Sequence, residues 1–267
     1  MDKIISPLQG AFILGRSIHD NILLKHKIML KFKNTKAKKA WAALKIDVEK
    51  AYDRLEWDLI IKCFMKLGFH QKWIDWIKEF ISTVSYSLLV NGAPSGFIKP
   101  SRGIRQGDPL SPYIFIICLQ LLSIQLLTEA PKPNFGIGVK LSPRNPKIPC
   151  LMFADDCLIF SKTNFSTCSK LKGILNDFCV VSGQMINFHK PSLTFSKNTS
   201  NFHKQLVSGI MNITRSDSLG KYLGCPGFQG KPKASVFQDL LSRTMTKVRR
   251  VESKLFIQSG EDAPHPI

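Results

Sequence analysis

A chain of 267 residues, 44% hydrophobic and 21% charged, has the length and apolar content to bury a core of its own, which excludes a disordered tail. Its 38 Lys and Arg against 19 Asp and Glu leave a formal charge of +19, pointing to a polyanionic partner, nucleic acid first, against the plainer reading of a merely soluble basic protein. The seven cysteines include no CxxC pair and lie mostly in apolar runs, so neither a zinc site nor a disulfide framework is supported, and an intracellular compartment, nuclear or cytoplasmic, is expected.

In chain order, the opening MDKIISPLQG has no apolar stretch and no Arg-rich amphipathic start, so no signal peptide is expected. Residues 1–24 read as a loop and then a helix, and the Lys-rich run from Lys25 to Lys39 is expected to face solvent or phosphate. Trp41 to Ile46 is a short apolar run that predicts a buried strand ending at Asp47. From Glu49 onward Ala51, Leu55, Leu59, Cys63 and Leu67 recur at helical spacing until Gly68 stops them. A second helix is predicted over Lys72 to Ile81, then a strand over Val84 to Val90 turning at Asn91-Gly92, with the return strand running toward Gly103.

Pro109 and Pro112 punctuate the start of a long apolar helix reaching about Leu127. It is shorter than a membrane span and carries Gln120 and Gln125, so a buried helix is expected. After a Pro- and Gly-rich connection to Ile148, Leu151 to Phe160 is apolar except for Asp155-Asp156, which predicts strand, two-residue turn, strand. Leu171, Ile174, Leu175 and Phe178 mark a helix closed by Gly183, and a further helix is predicted over 233–251 ahead of an unstructured tail.

Two adjacent carboxylates inside an apolar hairpin are costly unless a positive partner meets them, and no Lys or Arg is adjacent in sequence. A divalent metal would resolve the cost; a polar turn exposed to water is the alternative. Asp47 also ends an apolar strand, and with Asp155 and Asp156 it supplies the oxygen ligands that Mg²⁺ prefers in two-metal phosphoryl transfer. Glu49, Asp53, Glu56 and Asp58 are expected on the following helix as a solvated face with local Lys and Arg partners.

At these residues the motifs fall into a known order. KIDVEKAYDRLEW, GIRQGDPLSPYIF, FADD, SGQMINFHK and KYLGCP, preceded by LQGAFILGRSIHDN, resemble successive motifs of reverse transcriptases of plant LINE-type (non-LTR) retrotransposons over roughly residues 6–228. The resemblance implies an α+β fold, a right-hand polymerase palm of antiparallel sheet backed by helices. Residues 1–40 would form partial fingers, 41–228 the palm, 229–258 the possible start of a thumb and 259–267 a disordered tail. It implies an RNA-directed DNA polymerase that uses two Mg²⁺ ions, with Mn²⁺ as a possible substitute. RNA template, DNA primer and deoxynucleoside triphosphates would be its partners, with no membrane involved.

The same resemblance assigns the catalytic and metal-binding roles to Asp47, Asp155 and Asp156, with Asp155 mattering more than its neighbour. Tyr52 would pack on the sugar of the incoming nucleotide and exclude a 2′-hydroxyl, with ordinary core packing as the plainer role. Gln106 and Gly107 would contact the new base pair and the templating strand, while Arg105 and Asp108 brace their loop as an ion pair. Lys190 would be a general acid toward pyrophosphate, although Pro191 stands where a Ser is usual and unsettles that loop. Tyr222, Leu223 and Gly224 resemble the turn that grips the primer backbone, or else form a plain hairpin. Arg16 would reach the template or the triphosphate, or simply steer phosphate.

Complete proteins of this family carry an endonuclease and further finger strands ahead of the first segment, so the chain is expected to be truncated and weak or inactive alone. Two other readings compete. One is a non-catalytic nucleic-acid-binding remnant, and the other an intron maturase-like RNA-binding protein, against which the YLGCP and INFHK spellings count.

Overall fold

The computed structural model describes residues 3–35, 40–133, 135–186, 193–213 and 220–225, with 242, 245 and 246 besides. The chain divides into two compact units, Met1–Gly227 and Phe228–Ile267, and the elements described belong to the first. The helix expected over 233–251 and the tail over 259–267 lie outside the described residues, apart from those three positions.

The centre is a four-stranded antiparallel sheet in the order β5-β6-β1-β8, built from β1 (Trp41–Ile46), β5 (Cys150–Phe153), β6 (Asp156–Lys162) and β8 (Leu193–Phe195). The runs Trp41–Leu44 in β1 and Cys157–Phe160 in β6 are apolar on both faces because both faces of the sheet are covered. Alternate residues Ala42, Leu44, Ile46, Cys157 and Ile159 enter one core, whereas Ala43, Leu158 and Phe160 enter a smaller one on the other face.

The larger core is filled by helices. Among them α4 (Ser111–Glu129) is apolar almost all round, as a central helix must be, and the amide oxygen of its buried Gln120 accepts from the backbone of Ser6 at 2.9 Å. It is also the one helix among the described residues long and apolar enough to cross a membrane, and most of it is buried in this core. Flanking it are α2 (Trp57–Lys66), α3 (Gln71–Ser82) and α5 (Phe165–Ser182), the last ended by Gly183 at φ 72° as its C-cap. A short helix not expected from the sequence, α6 (Asn201–Met211), starts from a Ser200 cap and carries Val207 and Met211 inward.

The smaller core is closed by α1 (Ile18–Asn34), which buries Ile28 and Phe32 and with them Lys25. A lysine expected at the surface is thus wholly enclosed, because α1 continues through the first part of the basic run, to Asn34, and turns that position onto the sheet. The hairpin of β3 (Tyr86–Val90) and β4 (Ala93–Ile98) turns at Asn91 and Gly92, both left-handed, and exposes all of its residues.

The helix expected from Glu49 begins only at Trp57. Val48–Glu49 form instead a two-residue strand, β2, paired with β7 (Met185–Ile186), and Lys50 turns left-handed at φ 49°. The carbonyls that a helix would use for its own ladder serve distant partners here: Ala51 accepts from Gln184, Tyr52 from the Ile104 N–H and Leu55 from the Gly103 N–H. All seven cysteines are free, four of them buried and three half-buried.

Candidate functional site

The β5–β6 hairpin is closed by the Phe153↔Asp156 pair, so its two turn residues are Ala154 and Asp155, one position earlier than the sequence suggests. Ala154 adopts φ 53°, a conformation unusual for a residue with a Cβ. Asp156 is thereby the first residue of β6. The β1–β6 register, which ends at Ile46↔Cys157, brings Asp47 to the same end of the sheet. The three acids converge there electrostatically. Partial desolvation raises the pKa of Asp155, and its own backbone hydrogen bond opposes the rise; repulsion from Asp156 and Asp47 adds to it, and Lys45 lowers it. Asp155 itself is exposed, whereas Asp47 and Asp156 are half-buried.

Asp156 is not free. Its Oδ1 lies 3.4 Å from Lys45 Nζ, and the same ammonium donates to the Lys221 carbonyl at 3.1 Å. Among the described residues no three His, Cys, Asp or Glu side chains are gathered round one point. The donor set still fits a hard divalent cation in kind, since it is all oxygen and its crowding opposes ionisation of Asp155 in a way that a cation would relieve.

Beside the acids, the ring of Tyr52 stacks on Phe115 with centroids 5.3 Å apart and an interplanar angle of 15°. Burial, and then the neighbouring Asp155 charge, raise the pKa of its hydroxyl. The strip from Gly103 to Gly107 is docked on the turn that holds Tyr52: the Gly103 N–H bonds the Leu55 carbonyl at 2.8 Å, and Trp57 Nε1 donates to the Gly103 carbonyl at 2.7 Å. Gly103 has φ 86°, and a Cβ there would lie 2.7 Å from the Asp53 carbonyl oxygen, so only glycine fits.

At the end of this strip Gln106 Nε2 donates to Asp53 Oδ1 at 3.0 Å, with both side chains exposed, and Gly107 follows at φ 86° with open space round it. A cleft of about 440 Å³ lies on this side, lined by Asp53, Arg102, Arg105 and Gln106; the Asp155 turn does not line it. The Arg105–Asp108 ion pair expected from sequence is not formed; Asp108 Oδ1 instead accepts from the Leu110 N–H at 2.9 Å, closing the turn that leads into α4. Glu56 does find an Arg, Arg102 at 3.4 Å, but of the four acids expected on the helix only Asp58 lies within α2.

Two sequence candidates stand differently from expectation, and a third lies outside the described residues. Arg16 donates to the backbone carbonyls of Ile5, Ser6 and Gln9 at 3.1, 2.5 and 2.7 Å, so its guanidinium braces its own loop. Tyr222 is 0% exposed and belongs to the smaller core, so its ring cannot touch a primer. What the turn presents is backbone, with Leu223 at φ 52° and Gly224 at φ 74° between the paired Tyr222 and Cys225. Lys190, with Pro191, lies outside the described residues.

The sequence reading missed Gln9, Lys45 and Lys25. For Lys45 there was a signal, since a charged residue between Leu44 and Ile46 interrupts a strand that is otherwise apolar.

The sequence profile of the family described as reverse transcriptase (RNA-dependent DNA polymerase) matches residues 1–226. The chain belongs to the reverse transcriptase family. An uncharacterized mitochondrial protein of Arabidopsis thaliana is 50% identical over 68 residues, covering 26% of this chain and 55% of that protein. The retrovirus-related Pol polyprotein of the type-1 retrotransposable element R2 from Popillia japonica is 30% identical over 190 residues, 65% of this chain and 30% of the polyprotein. Telomerase from Candida albicans, solved with a fragment of telomeric RNA, superposes with a TM-score of 0.49 at 15% identity, over 72% of this chain and 32% of that one. This reverse transcriptase domain therefore spans about half of the first relative's length and under a third of the second's.

Proposed function

We propose that this domain is the palm of an RNA-directed DNA polymerase of a non-LTR retroelement, adding deoxynucleotides to a primer 3′-hydroxyl on an RNA template. Residues 1–40 would serve as partial fingers and 229–258 as the start of a thumb. The observation that carries the reading is the meeting of Asp47, Asp155 and Asp156 at one end of adjoining antiparallel strands, with the Tyr52 hydroxyl close enough to feel the Asp155 charge.

Asp47, Asp155 and Asp156 would hold Mg²⁺, which supplies activation of the attacking hydroxyl and neutralisation of the triphosphate. Asp156 would hold the metal in competition with Lys45, whose ammonium lies 3.4 Å from its Oδ1. Tyr52, held flat by Phe115, would form the floor under the deoxyribose and exclude a 2′-hydroxyl by bulk. Gln106, steadied by Asp53, and the open backbone at Gly107 would meet the nascent base pair. Lys190 would deliver a proton to the departing pyrophosphate.

Primer extension on an RNA template, with and without Mg²⁺, tests this. Extension that needs Mg²⁺ and disappears in Asp155→Asn supports polymerase activity. A second reading, a non-catalytic domain that grips template and primer, is favoured by the Lys45–Asp156 pair, which engages one of the three acids with a cation of the chain's own. Hybrid binding without extension would select it.

A further inference from the structure

We infer that Gln9 is a positioning residue for the Asp155 turn, and that Arg16 acts on the same turn through it. The proposal rests on the reading of Asp155 as a metal ligand.

The observations begin at the backbone. Residues 8–10 run parallel to β5 as an extra edge: the Met152 N–H bonds the Leu8 carbonyl at 2.9 Å, and the Gly10 N–H bonds the Met152 carbonyl at 2.8 Å. That pairing brings Gln9, only 2% exposed, to the end of the β5–β6 hairpin. Its Oε1 accepts from the N–H groups of Ala11 at 3.0 Å and Ala154 at 2.9 Å, and its Nε2 reaches the Ala154 carbonyl at 3.4 Å. One side chain thus holds both backbone groups of the residue before Asp155.

Ala154 is also the hairpin residue with a left-handed backbone, φ 53°, which an alanine adopts only when its surroundings impose it. The direction of the Asp155 side chain depends on that torsion, because a change at Ala154 swings the next Cα–Cβ bond with it. Gln9 in turn is fixed by its bond to Ala11 and by the Arg16 guanidinium on the Gln9, Ser6 and Ile5 carbonyls. The order of support is Arg16, Gln9, Ala154, Asp155. The basic residue that the motif suggested for nucleic acid is built into the acid's scaffold.

The test uses the full 267-residue chain and Mn²⁺ as probe, with free Mn²⁺ read by electron paramagnetic resonance and no nucleotide present. Gln9→Met keeps the volume and removes the hydrogen bonds. It should weaken Mn²⁺ binding about ten-fold, the effect expected when a group that orients a ligand is lost. Gln9→Met combined with Ala154→Gly should recover most of that loss, because glycine takes the left-handed conformation unaided. A merely structural role for Gln9 would not be rescued at Ala154.

Asp155→Asn separates the two ideas. If it abolishes Mn²⁺ binding while Gln9→Met leaves affinity unchanged, the positioning role is wrong and the metal reading stands. If Asp155→Asn binds Mn²⁺ as the wild type does, the metal reading falls and takes the purpose of the clamp with it. Failure of Ala154→Gly to rescue also overturns the proposal. Should Gln9→Met not fold, the wild-type chain decides: its Ala154 amide should exchange with deuterium slowly although it sits in a half-exposed turn, and exchange at the rate of an open turn would refute the clamp.

Discussion

Lys45 Nζ lies 3.4 Å from Asp156 Oδ1 on the adjoining strand and donates, from the same ammonium, to the carbonyl of Lys221, the residue just before the Tyr222–Cys225 turn. One cation thus joins an acid of the proposed metal site to the turn that resembles a primer grip, and it competes with any metal for Asp156.

Lys45→Met should therefore tighten Mn²⁺ binding in the absence of nucleotide, by about two- to five-fold, since a partly exposed pair of this kind is worth about 0–1 kcal/mol. Primer extension should fall at the same time, because the turn loses its tie to the sheet. Weaker Mn²⁺ binding in the titration would mean that Lys45 orients Asp156 for the metal and does not withhold it.

Asp155→Asn should abolish Mg²⁺-dependent extension and should also stabilise the metal-free chain at neutral pH. Asp155 has its pKa raised in the folded state, by desolvation first and then by the Asp156 and Asp47 charges, so its contribution is most favourable below its unfolded value and is lost as pH rises through the folded one. Metal-free unfolding followed from about pH 6 down to about pH 3 should show a smaller gain in stability from this position for the variant than for the wild type. Asp53→Asn, which breaks only an exposed bond to Gln106, should do far less to extension. Equal losses would show the carboxylates misassigned.

Tyr52→Val should relax sugar selection, because the ring that stacks on Phe115 next to Asp155 is replaced by a smaller side chain that leaves room for a 2′-hydroxyl. The lost stack should lower stability by about 0.5–1.5 kcal/mol. Single-nucleotide incorporation separates the effects, since packing alone would slow deoxy- and ribonucleotides equally. An unchanged ratio reduces Tyr52 to a core residue.

Affinity for an RNA–DNA hybrid should collapse with salt, since a formal charge of +19 favours phosphate contacts. For roughly four such contacts the loss is about a hundred-fold between about 50 and 200 mM salt. A flat salt titration would contradict the electrostatic reading.

The central strands and the helices Ser111–Glu129 and Phe165–Ser182 were legible because their signal is local: continuous apolar runs, a Pro-marked start, a glycine at the stop. The ties that shape the site were not local. Gln9 meets Ala154 across 145 residues, Lys45 meets Lys221 across 176, and Lys25 meets Cys225 across 200. Nothing in the residue pattern near position 9 says which backbone its amide will hold. The turn was misplaced by one residue for the same reason, as Asp155-Asp156 is the more polar pair while Ala154 is held left-handed by a remote side chain. Likewise the helical spacing after Glu49 was genuine, but the carbonyls of Ala51, Tyr52 and Leu55 were claimed by distant donors.

The buried ammonium of Lys25 leads to the last prediction: Lys25→Met should make the chain more stable. Lys25 is 0% exposed, its Nζ sits 5.6 Å from the centre of the Tyr222 ring and 3.5 Å from the Cys225 carbonyl, and none of its described contacts is a carboxylate. Enclosure lowers its pKa below the usual lysine value, Cys225 opposes that shift, and the nearby Lys45 charge adds to it. A lysine with a depressed folded pKa holds its full contribution above the unfolded value, about 10.4, and loses it as pH falls through the folded one. Below the folded value the wild type carries the whole penalty. Methionine has similar reach and no charge, and should fill the space between α1 and the sheet at a gain of about 1 kcal/mol, or about 2–4 °C in Tm. The difference between variant and wild type should narrow as pH is raised from about 7 toward about 10, and thermal unfolding at several pH values reads it directly. A lower Tm for the variant at neutral pH would mean that the contacts to Tyr222 and Cys225 outweigh desolvation, and that Lys25 holds the Tyr222–Cys225 turn in place.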